Sequence, residues 1–142
     1  MLSEAAMREL ARRAVACKHW EWLPGMLILG GTYLSGTRLD GGRGSLYINS
    51  WTYAEDFTQQ KLSNDLPNFS DAATRGCLLQ LCREARQDPN AGVFFQYKDP
   101  DPRHENRPTW EWRARDLLGW TGCAGFATEI DALVALLESC RG

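Results

Sequence analysis

Residues 66–89, LPNFSDAATRGCLLQLCREARQDP, contain the clearest helix in the sequence and divide a glycine-rich, polar first half from an aromatic second half. Ser70 is a good N-cap residue, and Asp71 in the first turn suits the positive end of the helix dipole. Pro89 predicts where the helix ends. Gly76 would destabilise a helix interior by about 1 kcal/mol relative to alanine, so it predicts a close approach by a neighbouring element. Apolar residues recur at helical spacing and predict one buried stripe, formed by Ala73, Cys77, Leu78, Leu81, Cys82 and Ala85.

The length and composition of the chain predict one domain over residues 1–142, with a core of ordinary size. The net charge is −2, which argues against a protein that coats long nucleic acid. The six tryptophans exceed what such a core usually needs, so we expect one or two of them at a binding surface. Apolar runs are far too short to span a bilayer and the first residues do not form a signal peptide. These features predict a cytoplasmic protein with no membrane partner.

The cysteines predict a reduced protein without structural disulfides. Their number, five, is odd, and there is no C-x-x-C pair, which argues against a zinc site. Three of them lie in helical apolar stripes, where a free cysteine behaves as a small hydrophobic residue. We therefore expect no metal and no cofactor. The cysteines are Cys17, Cys77, Cys82, Cys123 and Cys140.

In the first half of the chain, a helix capped by Ser3 is predicted to run to about Lys18. Met26–Leu29 is a short apolar run typical of a buried strand, and the alternation in 45–51 predicts a half-buried strand. The two runs predict a hairpin whose long loop, 30–44, contains six glycines and should be mobile. Residues 52–65 show no clear period and are expected to be poorly ordered.

The second half predicts another hairpin and a last helix. Residues 93–98 form its first strand, and 109–115 alternate strictly, with Trp110, Trp112 and Ala114 on one face and Glu111, Arg113 and Arg115 on the other. The stretch 119–125 is predicted to be a glycine-rich connection, with a short strand near Phe126. Thr128 and Asp131 resemble a capping box for the last helix. The order α-β-β-α-β-β-α predicts an α+β sandwich, an antiparallel sheet carrying helices.

Three blocks of this chain resemble small proteins of unknown function encoded by bacteriophages and prophages. They are ACKHWEWLPGM at 16–26, the stretch 66–89 and FATEIDALVALLES at 126–139. In that group the blocks recur as W-x-W-x-P-G-M, as an LP…D/S-x-A-T-x-G-C-L-L helix and as a T-E-x-x-A-L-V helix. The resemblance implies a phage accessory protein that works in the bacterial cytoplasm. Many such proteins counter host defence by blocking a protein or by sequestering a nucleotide signal.

Candidate catalytic groups are sparse. The glycine-rich stretch 30–44 lacks the phosphate-binding G-x-x-x-x-G-K-[ST] pattern, so a hairpin loop explains it better, although Arg43 could reach a phosphate. Cys17 and His19 would point away from each other on a helix. The charged stretch DPDPRHEN at 99–106 lacks the spacing of a calcium loop, and a solvated loop explains it more simply. The sequence therefore predicts that the protein is not an enzyme.

The strongest binding signal is a combination of arginine and tryptophan in the second hairpin. Guanidinium groups suit phosphates and indole rings stack on bases. In the alternative interpretation, the two strand tryptophans belong to the core and the two strand arginines form a solvated face. The arginines and the histidine of this hairpin predict a positive surface that suits a compact anion. The predicted ligand-binding residues are Arg43, Trp51, Arg103, His104, Arg107, Trp110, Trp112, Arg113 and Arg115.

The sequence thus predicts a non-enzymatic phage accessory protein that binds and sequesters a nucleotide-like small molecule, as a homo-oligomer. The alternative is an interaction protein that blocks a host defence protein through an aromatic surface patch. A small hydrolase or transferase ranks third. A concave site lined by arginine and tryptophan would favour the ligand, whereas a flat exposed aromatic patch would favour the protein partner.

Overall fold

The computed structural model describes residues 2–36, 46–48, 51–53, 62, 64–96, 109–116 and 119–140. These residues form three helices and two three-stranded antiparallel sheets, which confirms the predicted α+β class. The elements are α1 (Glu4–Val15), β1 (Ser35–Gly36), β2 (Leu46–Ile48), β3 (Trp51–Tyr53), α2 (Ala72–Arg86), β4 (Gly92–Gln96), β5 (Thr109–Asp116), β6 (Gly119–Phe126) and α3 (Glu129–Glu138).

The first and last helices begin where their sequences predict. The Ser3 hydroxyl accepts a hydrogen bond from the backbone N–H of Ala6 at 3.1 Å, and α1 starts at the next residue after this cap. Thr128 caps α3 by accepting from the backbone N–H of Asp131 at 3.2 Å. Each cap satisfies one of the N–H groups that a helix leaves free at its start. Both predicted caps are confirmed.

The start of α2 differs from the prediction by one residue. Asp71, not Ser70, is the N-cap, and its carboxylate accepts from both the backbone N–H and the hydroxyl of Thr74, at 3.0 and 2.8 Å. The Asp71 carboxylate is a better cap than the Ser70 hydroxyl because it accepts both donors at once and also places negative charge at the helix start. The helix ends at Arg86, and the left-handed residue Gln87 (φ 55°) follows it.

The buried side of α2 follows the predicted stripe, with two corrections. Leu78, Leu81 and Cys82 are buried, but Ala73 is exposed. Gly76 is also exposed, and a side chain added there would meet nothing within 4 Å. The predicted close approach at Gly76 is therefore wrong, because this glycine lies on the solvent side of the helix.

The core is organised around α3 rather than α2. This last helix contacts β4, β5 and β6 on one side and both other helices on the other. Arg13 of α1 forms an ion pair with Glu138 of α3 across that contact, with its Nε 3.1 Å from Oε2. A helix placed between layers is apolar around most of its surface. The buried residues of α3 are Ile130, Ala132, Leu133, Val134, Leu136 and Leu137.

The first hairpin is not built as predicted. Among the described residues, Met26–Leu29 makes only isolated bridges, and β2 pairs with β1 and β3 instead. Gly30 has a positive φ of 75°, and the N–H of Gly31 donates to the carbonyl of Ile28 at 2.9 Å. This tight turn folds the apolar run back on the residues that follow it, so it cannot extend into a longer strand. In the predicted mobile loop, residues 37–44 lie outside the described residues, as does most of 52–65.

The second sheet has the order β4-β5-β6. The glycine-rich stretch after β5, predicted as a connection, is the eight-residue strand β6. Its low strand propensity is overridden because it pairs along the whole length of β5. The register shifts between Trp110 and Trp112 of β5, next to Gly125, whose φ of 95° suits a bulge.

Candidate functional site

The two faces of the β4-β5-β6 sheet differ in what covers them. On the inner face, which packs against α3, Trp112 is 8% exposed and Ala114 is fully buried. On the outer face, Arg113 and Arg115 are exposed. The strict alternation predicted for this strand is confirmed.

Strand register gathers further side chains on the outer face. Residues that lie directly opposite each other in an antiparallel sheet point to the same side. Phe94 of β4 is opposite Glu111, and Trp120 of β6 is opposite Arg115. Both rings are large and exposed, Phe94 at 42% and Trp120 at 60%. We call this outer surface the open face; it comprises Phe94, Glu111, Arg113, Arg115 and Trp120, with Arg83 at its edge.

Each exposed ring of the open face has a guanidinium group beside it. The Cζ atom of Arg113 lies 5.2 Å from the centroid of the Phe94 ring, and that of Arg115 lies 5.5 Å from the centroid of the Trp120 ring. Contacts of this kind contribute about 0.5–1 kcal/mol at exposed sites. We call these two units the ring–guanidinium pairs.

Glycines flank Arg113 on both neighbouring strands. Gly92 is its partner in β4 and Gly122 is its partner in β6. A Cβ atom at Gly122 would lie only 2.5 Å from the carbonyl oxygen of Trp112, so that position requires glycine. Gly122 is exposed, whereas Gly92 is buried beneath the Phe94 ring and the Arg83 guanidinium, which would lie 3.8 to 4.0 Å from a Cβ atom there. Only the β6 side of Arg113 is therefore bare of side chains.

Arg83 brings a third guanidinium group to the edge of this face. It extends from α2, donates from Nε to the carbonyl of Ala91 at 2.8 Å, and places Nη2 4.0 Å from where a Gly92 side chain would begin. Among the described side chains of the open face, Glu111 is the only carboxylate, and it forms an ion pair with Arg113 at 2.6 Å. The face is thus positive on a chain whose net charge is −2.

Asp88 holds the end of the strand that carries Arg115. β4 begins at Gly92, opposite Arg113, so no β4 residue faces Arg115. The buried Asp88 carboxylate takes that place and accepts from the Arg115 N–H at 2.7 Å and from the Asn90 N–H at 2.9 Å. These two donors, the Arg115 N–H first, hold the pKa of Asp88 below its usual value.

The described residues bring together only part of the predicted binding set. Trp112 is a core residue with Arg86 stacked over its ring at 4.8 Å. Trp110 is half-buried on the same side, and its ring centroid lies 5.1 Å from that of Phe95. Of Trp51 only the backbone, in β3, is described. Four members of the set lie outside the described residues: Arg43, Arg103, His104 and Arg107.

Sequence reasoning missed Arg83, Phe94 and Trp120. Alternation in 93–98 puts Phe94 on the opposite side of its strand from Val93 and Phe95, and the pairing of Phe94 with Glu111 then decides which side is the open face. Trp120 is absent from the predicted site because the sequence around it predicts a connection rather than a strand. Arg83 could not have been found, since only the tertiary fold brings α2 to the edge of β4.

Three cavities lined by described residues lie away from the open face or at its margin. Two neighbouring cavities of about 290 and 340 Å³ lie at the start of α1 and share Leu2, Met7, Phe69 and Ser70. The arginine of the first, Arg75, is already paired with Glu129 at 3.6 Å. A third cavity, of about 580 Å³, follows α2 beside Arg83. None of these three cavities includes a tryptophan among its described lining residues.

Comparisons of the chain with models of protein families, with curated proteins and with solved structures found no match. Within the described residues, no helix has the length and apolar character needed to cross a bilayer. The same part of the chain contains no group of three or more His, Cys, Asp or Glu residues that could hold a metal ion. The open face is the candidate functional site of the described residues.

Proposed function

We propose that this protein is a non-enzymatic binding protein that holds a nucleotide-like anion on the open face of its second sheet. The observation that carries the proposal is the presence of two ring–guanidinium pairs on a sheet surface that the three described helices leave uncovered. Bases stack on aromatic rings and on the planes of arginine side chains, and arginine donates in bidentate fashion to phosphate oxygens. One surface thus offers both contacts that a nucleotide needs.

Charge supports the same ligand class. Three guanidinium groups, those of Arg83, Arg113 and Arg115, accompany the single described carboxylate of the face, Glu111. Both N–H groups of Arg113 that contact Glu111 donate to the same oxygen, Oε1, at 3.1 and 2.6 Å. That carboxylate is therefore engaged in positioning Arg113. A positive patch on a slightly acidic protein attracts compact anions without general attraction to polyanions.

Binding without turnover fits the accessory role that the phage resemblance implies. A protein that sequesters a host nucleotide signal needs only affinity and abundance. We propose that it acts in this way in the cytoplasm of an infected bacterium.

The test is calorimetric titration of the protein with a panel of nucleotides and cyclic nucleotides. We expect Arg113→Gln combined with Arg115→Gln to weaken binding strongly, since one bidentate arginine contact contributes roughly 1.5–3 kcal/mol, about ten-fold or more. The matched control is Arg8→Gln combined with Arg12→Gln. It removes the same charge from the exposed surface of α1, where the arginines form surface pairs with Glu4 and Glu9.

Binding by the wild type and by the control, with loss in the open-face variant, would support the proposal. If the wild type binds no nucleotide, or if the open-face variant binds as tightly as the control, the proposal is wrong. Thermal midpoints of both variants should stay within a few degrees of wild type, because the replaced side chains are exposed.

The same exposed rings favour a second candidate, the blocking of a host protein. Phe94 and Trp120 are exposed, and aromatic residues with arginine are the side chains that dominate protein interfaces. A protein that binds no nucleotide but loses a partner when Trp120 is replaced would be an interaction protein of this kind.

A further inference from the structure

The two ring–guanidinium pairs are far apart on the sheet. Phe94 is opposite Glu111 and Trp120 is opposite Arg115, so the rings begin four residues apart along β5 and on the two outer strands. With about 3.3 Å per residue along a strand and about 4.8 Å between strands, their Cα atoms are about 16 Å apart across the diagonal. A ligand that uses both rings must span that distance.

This separation prevents a mononucleotide from using both rings. A mononucleotide carries one base and can stack on only one of the two rings. Two neighbouring bases that remain stacked on each other lie only about 3.4 Å apart, so they cannot reach both rings either. Bases that have been splayed apart, each stacked on its own aromatic side chain, fit such a surface, as in proteins that bind single strands on a sheet.

The surface between the rings suits the linkage between two bases. Arg113 lies there, opposite the exposed Gly122 of β6. Its partner on the other side, Gly92 of β4, is buried beneath the Phe94 ring and the Arg83 guanidinium. Glycine in a strand interior leaves room for a ligand to approach the backbone closely. A phosphate could therefore lie over Gly122 and receive donors from Arg113 and Arg115.

We infer that the ligand of the open face is a dinucleotide unit, two unstacked bases joined through phosphate, with one base on each ring–guanidinium pair. This inference rests on the proposed function and narrows it. The unit can come from a linear dinucleotide, a cyclic dinucleotide or the end of a short single strand. Their shared chemistry is what the two pairs recognise.

The first test compares ligands of different length by calorimetry: AMP, the linear dinucleotide pApA, cyclic di-AMP, tetraadenylate and octaadenylate. We expect at least one of the dinucleotides to bind more tightly than AMP by roughly 5- to 150-fold, the usual effect of one additional base–aromatic stack. The two dinucleotide titrations distinguish a linear from a cyclic source. Each pair of neighbouring nucleotides in a longer strand can occupy a two-base site, so affinity should then rise toward octaadenylate only in proportion to the number of such pairs.

The second test uses three alanine variants of the full chain. Phe94→Ala and Trp120→Ala should each weaken dinucleotide binding by roughly 5- to 150-fold. Because AMP stacks on only one ring, at least one of these two variants should bind AMP as tightly as wild type does. Phe95→Ala is the matched control, because Phe95 is also exposed but points to the other side of β4. Trp120→Phe retains a ring and should preserve most of the affinity.

The possible outcomes distinguish a failure of the two-base inference from a failure of the proposed nucleotide binding. If AMP binds as tightly as both dinucleotides, or if one of the two ring variants binds the preferred dinucleotide like wild type, the two-base inference is wrong although nucleotide binding stands. A rise in affinity through octaadenylate that exceeds the number of nucleotide pairs would also contradict it, since that indicates a longer binding track. If neither these ligands nor any nucleotide of the panel binds, the proposed function itself fails.

Discussion

Asp88→Ala is expected to destabilise the sheet at the end of β5 that carries Arg115. The Asp88 side chain is only 5% exposed and is the acceptor for two backbone N–H groups, those of Arg115 and Asn90. No β4 residue can replace it, because that strand begins farther along, at Gly92. The substitution therefore leaves the Arg115 N–H without its acceptor.

The size of the effect follows from those two bonds. An unsatisfied, partly buried donor costs about 1–3 kcal/mol, and bonds to a charged acceptor lie in the upper part of that range. Asn90 is exposed and its N–H can bind water, so the Arg115 bond dominates. We expect a loss of about 2–3 kcal/mol in the free energy of unfolding. Asp88→Asn keeps one acceptor oxygen and should lose less.

The pH dependence gives this prediction a specific signature. The two N–H donors lower the pKa of Asp88 in the folded protein, so its contribution is fully present above the unfolded value of about 3.9. It is then lost as the pH falls through the lowered folded pKa. The stability difference between wild type and Asp88→Asn should therefore be larger at pH 7 than at pH 3.

Urea unfolding followed by circular dichroism at both pH values measures these differences. A loss below about 0.5 kcal/mol for Asp88→Ala at pH 7 would contradict the role given to this carboxylate. A difference between wild type and Asp88→Asn that grows on acidification would contradict the direction of the pKa shift.

Further predictions concern the glycines, the core and the thiols. Gly76→Ala should stabilise the protein by about 0.5–1 kcal/mol in urea unfolding, because the exposed helical site is open. Gly122→Ala should destabilise it by more than about 1 kcal/mol, because the new Cβ would overlap the facing backbone carbonyl of β5. Leu81→Ala should lower the free energy of unfolding by about 2–5 kcal/mol, since its side chain is buried. In thiol titration, native Cys123 should react first and Cys82 last, because burial raises the pKa of Cys82, and all five thiols should react in denaturant.

The parts of the fold that depend on local chemistry could be predicted from the sequence. Ser3 and Thr128 cap their helices because a hydroxyl before an apolar periodic run needs no distant partner. The alternation around Trp112 and Arg113 also predicts the two sides of β5 correctly, because it depends only on the local backbone of the strand. The arginines of that strand were thus correctly placed on the exposed side.

The parts that depend on tertiary partners could not be predicted in this way. The glycine-rich stretch of β6 is a strand only because β5 supplies a continuous partner, and this pairing brings Trp120 opposite Arg115. Arg83 joins the open face only because α2 passes the edge of β4. The central position of α3 could have been predicted from the sequence. Its residues are apolar on most of the helix surface, which is typical of a helix buried between layers.

The most direct test of the open face is a titration of ¹⁵N-labelled protein with pApA, observed through the six indole N–H resonances and the backbone amides. Trp120→Phe assigns the key indole signal. We predict that the Trp120 indole and the amides of β4, β5 and β6 shift together, while the indoles of Trp20 and Trp22, which pack against each other in a separate part of the chain, stay unchanged. Shifts confined to the cavities at the start of α1, or shifts that leave Trp120 unchanged, would show that the ligand does not bind on the open face.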